Sequence, residues 1–194
     1  TNDLITLSSY LITNDPIVIS NELLDTFKQE TDQYLTDTVN IIKNIKEAFE
    51  KTKIAGQIAA GALDEINKII RPGISTDKID NVCYEYINDH KAYSAPLFYR
   101  GFPKSCCTSA NHVVCHGIPS DKILKEGDIV NVDVTAFKDG WHGDTSRMFK
   151  IGEISIKAEK LINVTYESMM KAINLVKDGI YLGDIGAVIQ QHVE

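Results

Sequence analysis

Apolar and polar residues alternate along residues 128–135, which is the pattern of a strand that buries one face. A second segment at 141–146 follows after Lys138-Asp139-Gly140, whose residue types favour a tight turn. The two segments are therefore predicted to form one β-hairpin.

This hairpin brings two carboxylates together. With a two-residue loop at 138–139, Asp133 faces Asp144 directly, and a three-residue loop shifts the pairing by one residue and leaves them near neighbours. Like charges across a ladder repel, and carboxylates among valines lose hydration, so a divalent metal ion or a pair of ions is expected between them. The alternative is that either carboxylate is solvated or accepts a hydrogen bond from Thr135 or Thr145.

Helical apolar spacing flanks the hairpin on both sides. The first helix is predicted from about residue 40 to Ile70, with a stop at 71–73, and residues 1–40 are assigned no chemistry. A strand or hairpin is expected over 106–117, with Asn111 near its bend. Further helices are predicted at about 76–89, with Ser75 or Thr76 as the cap, at 155–177 and at 183–194.

A shift of 106 residues places the first helix pair on the second. Residues 70–74 then fall on 176–180, and apolar positions of the helix at 76–89 fall on apolar positions of the helix at 183–194. Two amphipathic helices joined by a glycine turn also match by chance, so the alternative of no repeat stays open. A true repeat would end after the helices of its second copy and leave the sheet with an open edge, which predicts that the chain is a fragment.

Composition and charge narrow the classes of partner. The 194 residues carry a formal charge of −7 with scattered lysines, which disfavours nucleic acid or an anionic membrane as a partner. No apolar run reaches the ~18 residues of a membrane span, and the first twenty residues lack a basic targeting region. A cytoplasmic protein is expected.

The cysteines and histidines offer a second kind of chemistry. Four cysteines without a C-x-x-C pair fit reduced thiols in a cytosol and disfavour structural zinc. Cys115 and His116 could be a nucleophile and its base, but neighbours in one strand point to opposite faces, so this dyad is disfavoured. His112 would share the face of His116 in an unbroken strand and is expected to be structural.

Four segments together resemble type I methionine aminopeptidases. They are SAPLFYRGFPKS at 94–105, TSANHVVCHGIP at 108–119, NVDVT at 131–135 and HGDTS at 142–146. The resemblance implies an α+β fold of the pita-bread (creatinase/aminopeptidase) type, truncated after the helices of its second pseudo-symmetric half. It divides the chain into an N-terminal extension of unknown role, 1–41, and a partial catalytic domain, 42–194.

The resemblance implies roles for charged and polar residues. Asp133 and Asp144 match the aspartates that bind two divalent metal ions, with Co, Mn, Fe or Zn as candidates. His116 matches the histidine that binds the substrate and stabilises the tetrahedral intermediate. Asn111 and Val113 match positions where relatives hold a monovalent cation nearby.

The resemblance also implies a methionine pocket. Tyr99, Phe102 and Cys107 match positions that line it, and an apolar, sulfur-tolerant lining suits a thioether. Pro96 and Phe98 replace residues more usual in that loop, which is expected to reshape the rim of the pocket.

The implied reaction is removal of the initiator methionine from nascent proteins with a small second residue. The expected partners are therefore nascent N-termini at the ribosome, and the full-length protein is expected to be a monomer. Relatives need a further histidine and two glutamates as metal ligands downstream of Glu194, so residues 1–194 alone are expected to be inactive.

Two alternatives remain on the same fold. One is a non-catalytic pita-bread module that binds peptides or proteins, and the retained Asp133, Asp144 and His116 argue against it. The other is a proline-specific peptidase or creatinase-like relative, and the residue types at 115–117 and 131–135 favour the methionine enzymes.

Overall fold

A computed structural model describes residues 21–194, with side chains from Asp25 onward, and its contacts divide the chain into two units after Ala48. Helix α1 (Asn21–Ile69) supplies all of the first unit that is described and continues into the second. The remaining elements of the second unit are α2 (Thr76–Asp89), β1 (Tyr93–Ser94), a 3₁₀ turn (Tyr99–Gly101), β2 (Cys107–Ala110), β3 (Ile129–Lys138), β4 (Trp141–Lys150), α3 (Ile156–Leu175) and α4 (Leu182–Val193).

The predicted start of the first helix at about residue 40 is wrong, because α1 already begins at Asn21. The early part of α1 is rich in Thr, Asn and Asp, which obscures its helical spacing. The hydroxyls of Thr31, Thr36 and Thr38 each donate to the carbonyl oxygen four residues earlier, at 2.7, 2.8 and 2.8 Å. These polar side chains are therefore satisfied within the helix and do not end it.

The other predicted helices are confirmed to within two residues at each end. Ser75 caps α2, since its Oγ accepts from the backbone N–H of Lys78 at 3.2 Å. The two helix pairs also keep the 106-residue offset, because α1 and α3 end at 69 and 175 and α2 and α4 begin at 76 and 182. Gly73 and Gly179 take positive φ values of 90° and 83° in the two connecting turns. The structure thus repeats the helix–turn–helix unit at the spacing found in the sequence.

The sheet is organised around β3, which pairs antiparallel with every other strand. Strand β4 covers one edge of β3 over its whole length, and β2 and β1 share the other edge. The predicted strand at 106–117 is confirmed only as far as Ala110, where β2 ends and Asn111 turns the chain with φ 55°.

Alternation along β3 separates the core from the opposite face of the sheet. Val130, Val132 and Val134 are fully buried and pack with apolar side chains from α1 and α2. Asn131, Asp133 and Thr135 lie between them in sequence and are only partly buried. One face of β3 therefore packs in the hydrophobic core, and the other carries polar side chains.

Gly143 on β4 fixes how closely α1 approaches the sheet. A Cβ atom at this position would lie 2.1 Å from the carbonyl carbon of Ala55 and from the amide nitrogen of Gly56. Only glycine allows backbone to pack this tightly against backbone. Within the described residues, no helix has the length and apolar character needed to span a membrane.

Candidate metal centre and substrate cavity

The hairpin turn sets the register of the two aspartates. Lys138 pairs with Trp141, and the loop between them is Asp139-Gly140, with positive φ at both residues (50° and 89°). The observed loop therefore lies one residue later than the loop predicted at 138–139. As a result, each residue of β3 pairs with a residue of β4 two positions further along than predicted.

Asp133 consequently faces Ser146, and Asp144 faces Thr135, so the predicted direct pairing of the two aspartates is wrong. A displacement of two residues keeps every side chain on its face, because the side-chain period of a strand is two. The two carboxylates are diagonal neighbours on the polar face of the sheet, as the metal-site hypothesis requires.

The two carboxylates lie close enough for Asp144 to affect the ionisation of Asp133. Burial raises the pKa of Asp133 above its usual value, and the adjacent Asp144 raises it further, while His116 acts in the opposite direction. The hydroxyl of Thr135 donates to Oδ1 of Asp144 at 3.1 Å, so the hydrogen-bonded alternative is also met for one carboxylate. A bound cation would relieve the remaining repulsion.

The donor set fits part of a site for a hard divalent cation. Two carboxylates that interact on one face offer the oxygen ligands that such ions prefer. Among residues 21–194, no group of three or more His, Cys, Asp or Glu side chains is arranged to hold a metal ion. The described residues therefore offer two carboxylates at this place and not a complete set of metal ligands.

Strand β2 places Cys107 directly opposite Asp133. Burial raises the pKa of the Cys107 thiol to about 11, and the negative charge of Asp133 adds to the shift. Cys107 is therefore a neutral, weakly polar side chain at neutral pH, which suits a wall of an apolar pocket.

The chain just before Cys107 is fixed by a buried carboxylate from α2. Oδ1 of Asp80, a residue that is 6% exposed, accepts from the backbone N–H groups of Ser105 and Cys106 at 2.7 and 3.1 Å. Helix α2 thus controls where β2 begins.

His116 lies in a loop packed against β2. The backbone N–H of Thr108 donates to the carbonyl of Gly117 at 2.7 Å, and a Cβ at Gly117 would lie 2.2 Å from the Thr108 carbonyl oxygen. His116 has φ 54° and an exposed side chain. Because no strand runs through this segment, the strand-based arguments about Cys115 and His112 do not apply.

A cavity of about 1010 Å³ collects most of the predicted site residues. Its lining includes Tyr99, Phe102, Cys107, His116, Asp133 and Asp144. Asn111 and Val113 lie outside this lining. The side chain of Asn111 is engaged elsewhere, since its Nδ2 donates to Asp128 and its Oδ1 accepts from the backbone of Ile129, at 2.9 and 3.1 Å.

Among the polar and charged side chains that line the cavity, three were not singled out as site residues from the sequence: Arg100, Thr135 and His142. The alternation of β3 and β4 carries the signal for two of them, because Thr135 and His142 each lie two residues from an aspartate. The ring of His142 packs against Phe137, with centroids 4.7 Å apart. Arg100 lies in an irregular loop, where periodicity gives no information.

Residues 50–194 match the family model described as metallopeptidase family M24. The chain belongs to this family. Metallopeptidases of family M24 act with divalent metal ions, which agrees with the paired carboxylates of the hairpin.

Similar proteins refine the M24 assignment. The chain is 54% identical over 146 residues to a methionine aminopeptidase from Rickettsia prowazekii and 53% identical over 150 residues to one from Escherichia coli K12. These matches cover 75% and 76% of this chain but only 56% and 57% of the relatives. The chain thus spans little more than half the length of the curated relatives it matches.

Solved structures of M24 proteins confirm the fold. The crystal structure of the Rickettsia prowazekii methionine aminopeptidase matches with a TM-score of 0.75 at 53% identity, over 76% of this chain and 59% of that one. A Xaa-Pro dipeptidase from Bacillus anthracis matches at 24% identity with a TM-score of 0.67, over 76% of this chain and 40% of that one, and shows the shared fold alone. The pita-bread assignment is confirmed.

Proposed function

We propose that the protein is a metalloaminopeptidase that removes the initiator methionine from nascent chains with a small second residue, in the cytoplasm. The observation that carries this proposal is the single cavity that joins Asp133, Asp144 and His116 to Tyr99, Phe102 and Cys107. The high identity to methionine aminopeptidases supports the choice of substrate.

Each group has a physical role in the proposed reaction. Asp133 and Asp144 would hold divalent ions, which lower the pKa of water and polarise a carbonyl when bound. The His116 ring would donate to the scissile carbonyl oxygen as it gains negative charge. The neutral thiol of Cys107 and the rings of Tyr99 and Phe102 would bind the methionine side chain through apolar contacts.

Release of methionine from Met-Ala-Ser tests the proposal, in a form of the protein that carries the further carboxyl-terminal length of the relatives. It is measured by chromatography with added Mn²⁺ or Co²⁺ and with a chelator. Asp144→Asn should lower kcat/KM by ~100-fold or more, because a metal contributes several kcal/mol to the transition state. Asp139→Asn removes the same charge at the hairpin turn, outside the cavity, and should stay within about twofold of the parent. Equal activity of the two variants would reject the metal centre.

The activity of residues 1–194 by themselves is a separate part of the proposal. The described residues supply two carboxylates and no larger ligand cluster, so metal affinity should be low and turnover by this chain negligible. The same assay on a form that carries the further carboxyl-terminal length of the relatives should restore turnover. Metal-independent peptide binding without turnover in both forms would favour the non-catalytic module.

A further inference from the structure

The loop at 98–101 presents an arginine at the cavity on an unusual backbone. Phe98, Arg100 and Gly101 have φ values of 66°, 48° and 85°, and left-handed backbone is unfavourable for the first two. The loop is closed by hydrogen bonds from the N–H of Phe98 to the carbonyl of Phe102 at 2.7 Å and from the N–H of Phe102 to the carbonyl of Tyr99 at 2.9 Å. These bonds fix the backbone that carries Arg100, while its side chain is exposed.

Arg100 is the only lysine or arginine among the described side chains that line the cavity. Its guanidinium carbon lies 5.5 Å from the centre of the Tyr99 ring, and among residues 25–194 no carboxylate lies within ion-pair distance of it. The nearby Lys104 differs, because its Nζ lies 2.7 Å from Asp77. The planar donors of Arg100 thus remain available next to the aromatic side of the cavity.

We propose that Arg100 forms a carboxylate-binding subsite for the peptide segment that follows the methionine. This inference rests on the proposed function, because Tyr99 is assigned to the methionine pocket. The carboxylate comes either from an acidic side chain a few residues into the substrate or from the carboxyl terminus of a short peptide. Arg100 offsets the repulsion that Asp133, Asp144 and the net charge of −7 impose on such substrates.

Matched peptide pairs test the subsite. The first pair differs only in charge at the third residue and consists of Met-Ala-Glu-Ser-amide and Met-Ala-Gln-Ser-amide. The second pair differs in charge at the fourth residue and consists of Met-Ala-Ser-Glu-amide and Met-Ala-Ser-Gln-amide. The third pair differs in charge at the carboxyl terminus and consists of Met-Ala-Ser-Ser as the free acid and as the amide. The readouts are kcat/KM in the form that releases methionine and Kd from NMR titration of residues 1–194. The second readout does not require turnover.

For at least one pair, Arg100→Gln should lower the preference for the acidic peptide by about twofold to fivefold, the range of exposed ion pairs. Arg100→Glu should reverse the preference, Arg100→Lys should retain part of it, and 1 M salt should suppress it. Arg71→Gln removes an exposed arginine outside the cavity and should leave all ratios unchanged.

The pair that responds identifies the source of the carboxylate. Ratios that are the same in the parent and in Arg100→Glu, for all three pairs and in both readouts, would overturn the subsite. If Met-Ala-Gln-Ser-amide is still hydrolysed in that case, the proposed function stands. Absence of hydrolysis together with a charge-dependent Kd would instead keep the subsite and reject the peptidase.

Discussion

Asp80 offers the sharpest test of how α2 controls the cavity. Its Oδ1 accepts two buried backbone N–H groups, from Ser105 and Cys106, and its Oδ2 lies 3.9 Å from Nζ of Lys104. Asp80→Ala leaves both N–H groups without an acceptor in a region that water does not reach. Each unsatisfied group costs about 1–3 kcal/mol, so the free energy of unfolding should fall by ~3–4 kcal/mol.

Two matched variants separate hydrogen bonding from charge. Asp80→Asn keeps an acceptor oxygen and loses only the charge, so we expect a loss of ~1 kcal/mol. Asp77→Asn removes the other carboxylate near Lys104, at 2.7 Å, and the partly exposed pair should contribute less than about 1 kcal/mol.

Urea unfolding followed by far-UV circular dichroism measures all three variants on one scale. A loss below about 1 kcal/mol for Asp80→Ala would refute the reasoning, because the N–H groups would then have found other acceptors. Equal losses for Asp80→Ala and Asp80→Asn would show that charge, and not hydrogen-bond acceptance, is what stabilises the start of β2.

Three further predictions concern the sheet. Gly143→Ala should lower the free energy of unfolding by ~3 kcal/mol, since its Cβ would meet backbone at 2.1 Å, whereas Gly186→Ala, with no atom within 4 Å, should raise it by up to ~1 kcal/mol in the same urea assay. Burial and the adjacent Asp144 raise the folded pKa of Asp133 above its usual value of 3.8, so the unfolded chain ionises first and the metal-free fold loses stability as pH rises from 3.8 to the folded pKa. Asp133→Asn should therefore raise the melting temperature at pH 7 and not below pH 3.8, and equal melting curves at pH 7 would contradict this. Iodoacetamide at pH 8 should modify the exposed Cys115 before Cys107, whose thiol has a pKa of about 11, and mass spectrometry of digests reads the order.

Periodicity accounts for what could be predicted from the sequence. The helices after α1, the hairpin strands and the shared face of Asp133 and Asp144 follow from spacing, which long elements obey. The predicted register is wrong by two residues because it places the loop at Lys138-Asp139, whereas the Asp139-Gly140 pair is the one able to take two positive φ values. The prediction that Asp133 and Asp144 share one face still holds, because a register error of two residues leaves every side chain on its face.

The irregular segments could not be predicted in the same way. His116 and Arg100 take left-handed backbone, which is uncommon for residues other than glycine. Their positions depend on packing against β2 and on closure of the loop at 98–101. The predicted start of α1 is too late because the early part of this helix has a composition that suggests irregular chain. Its threonine hydroxyls bond back to the helix and are therefore compatible with it. In these segments the backbone conformation is set by tertiary packing and local hydrogen bonds, and not by the intrinsic preferences of the residues.

Strand β3 buries its valines on one face and carries Asp133 on the other, so the register that forms the core also sets the position of the aspartate. A slip of one residue against its neighbours would turn Val130, Val132 and Val134 towards solvent and bury the aspartate among the helices. Such a molecule would lose its core along with its ligands. A molecule with β3 out of register therefore unfolds, and does not persist as a folded protein with a defective site.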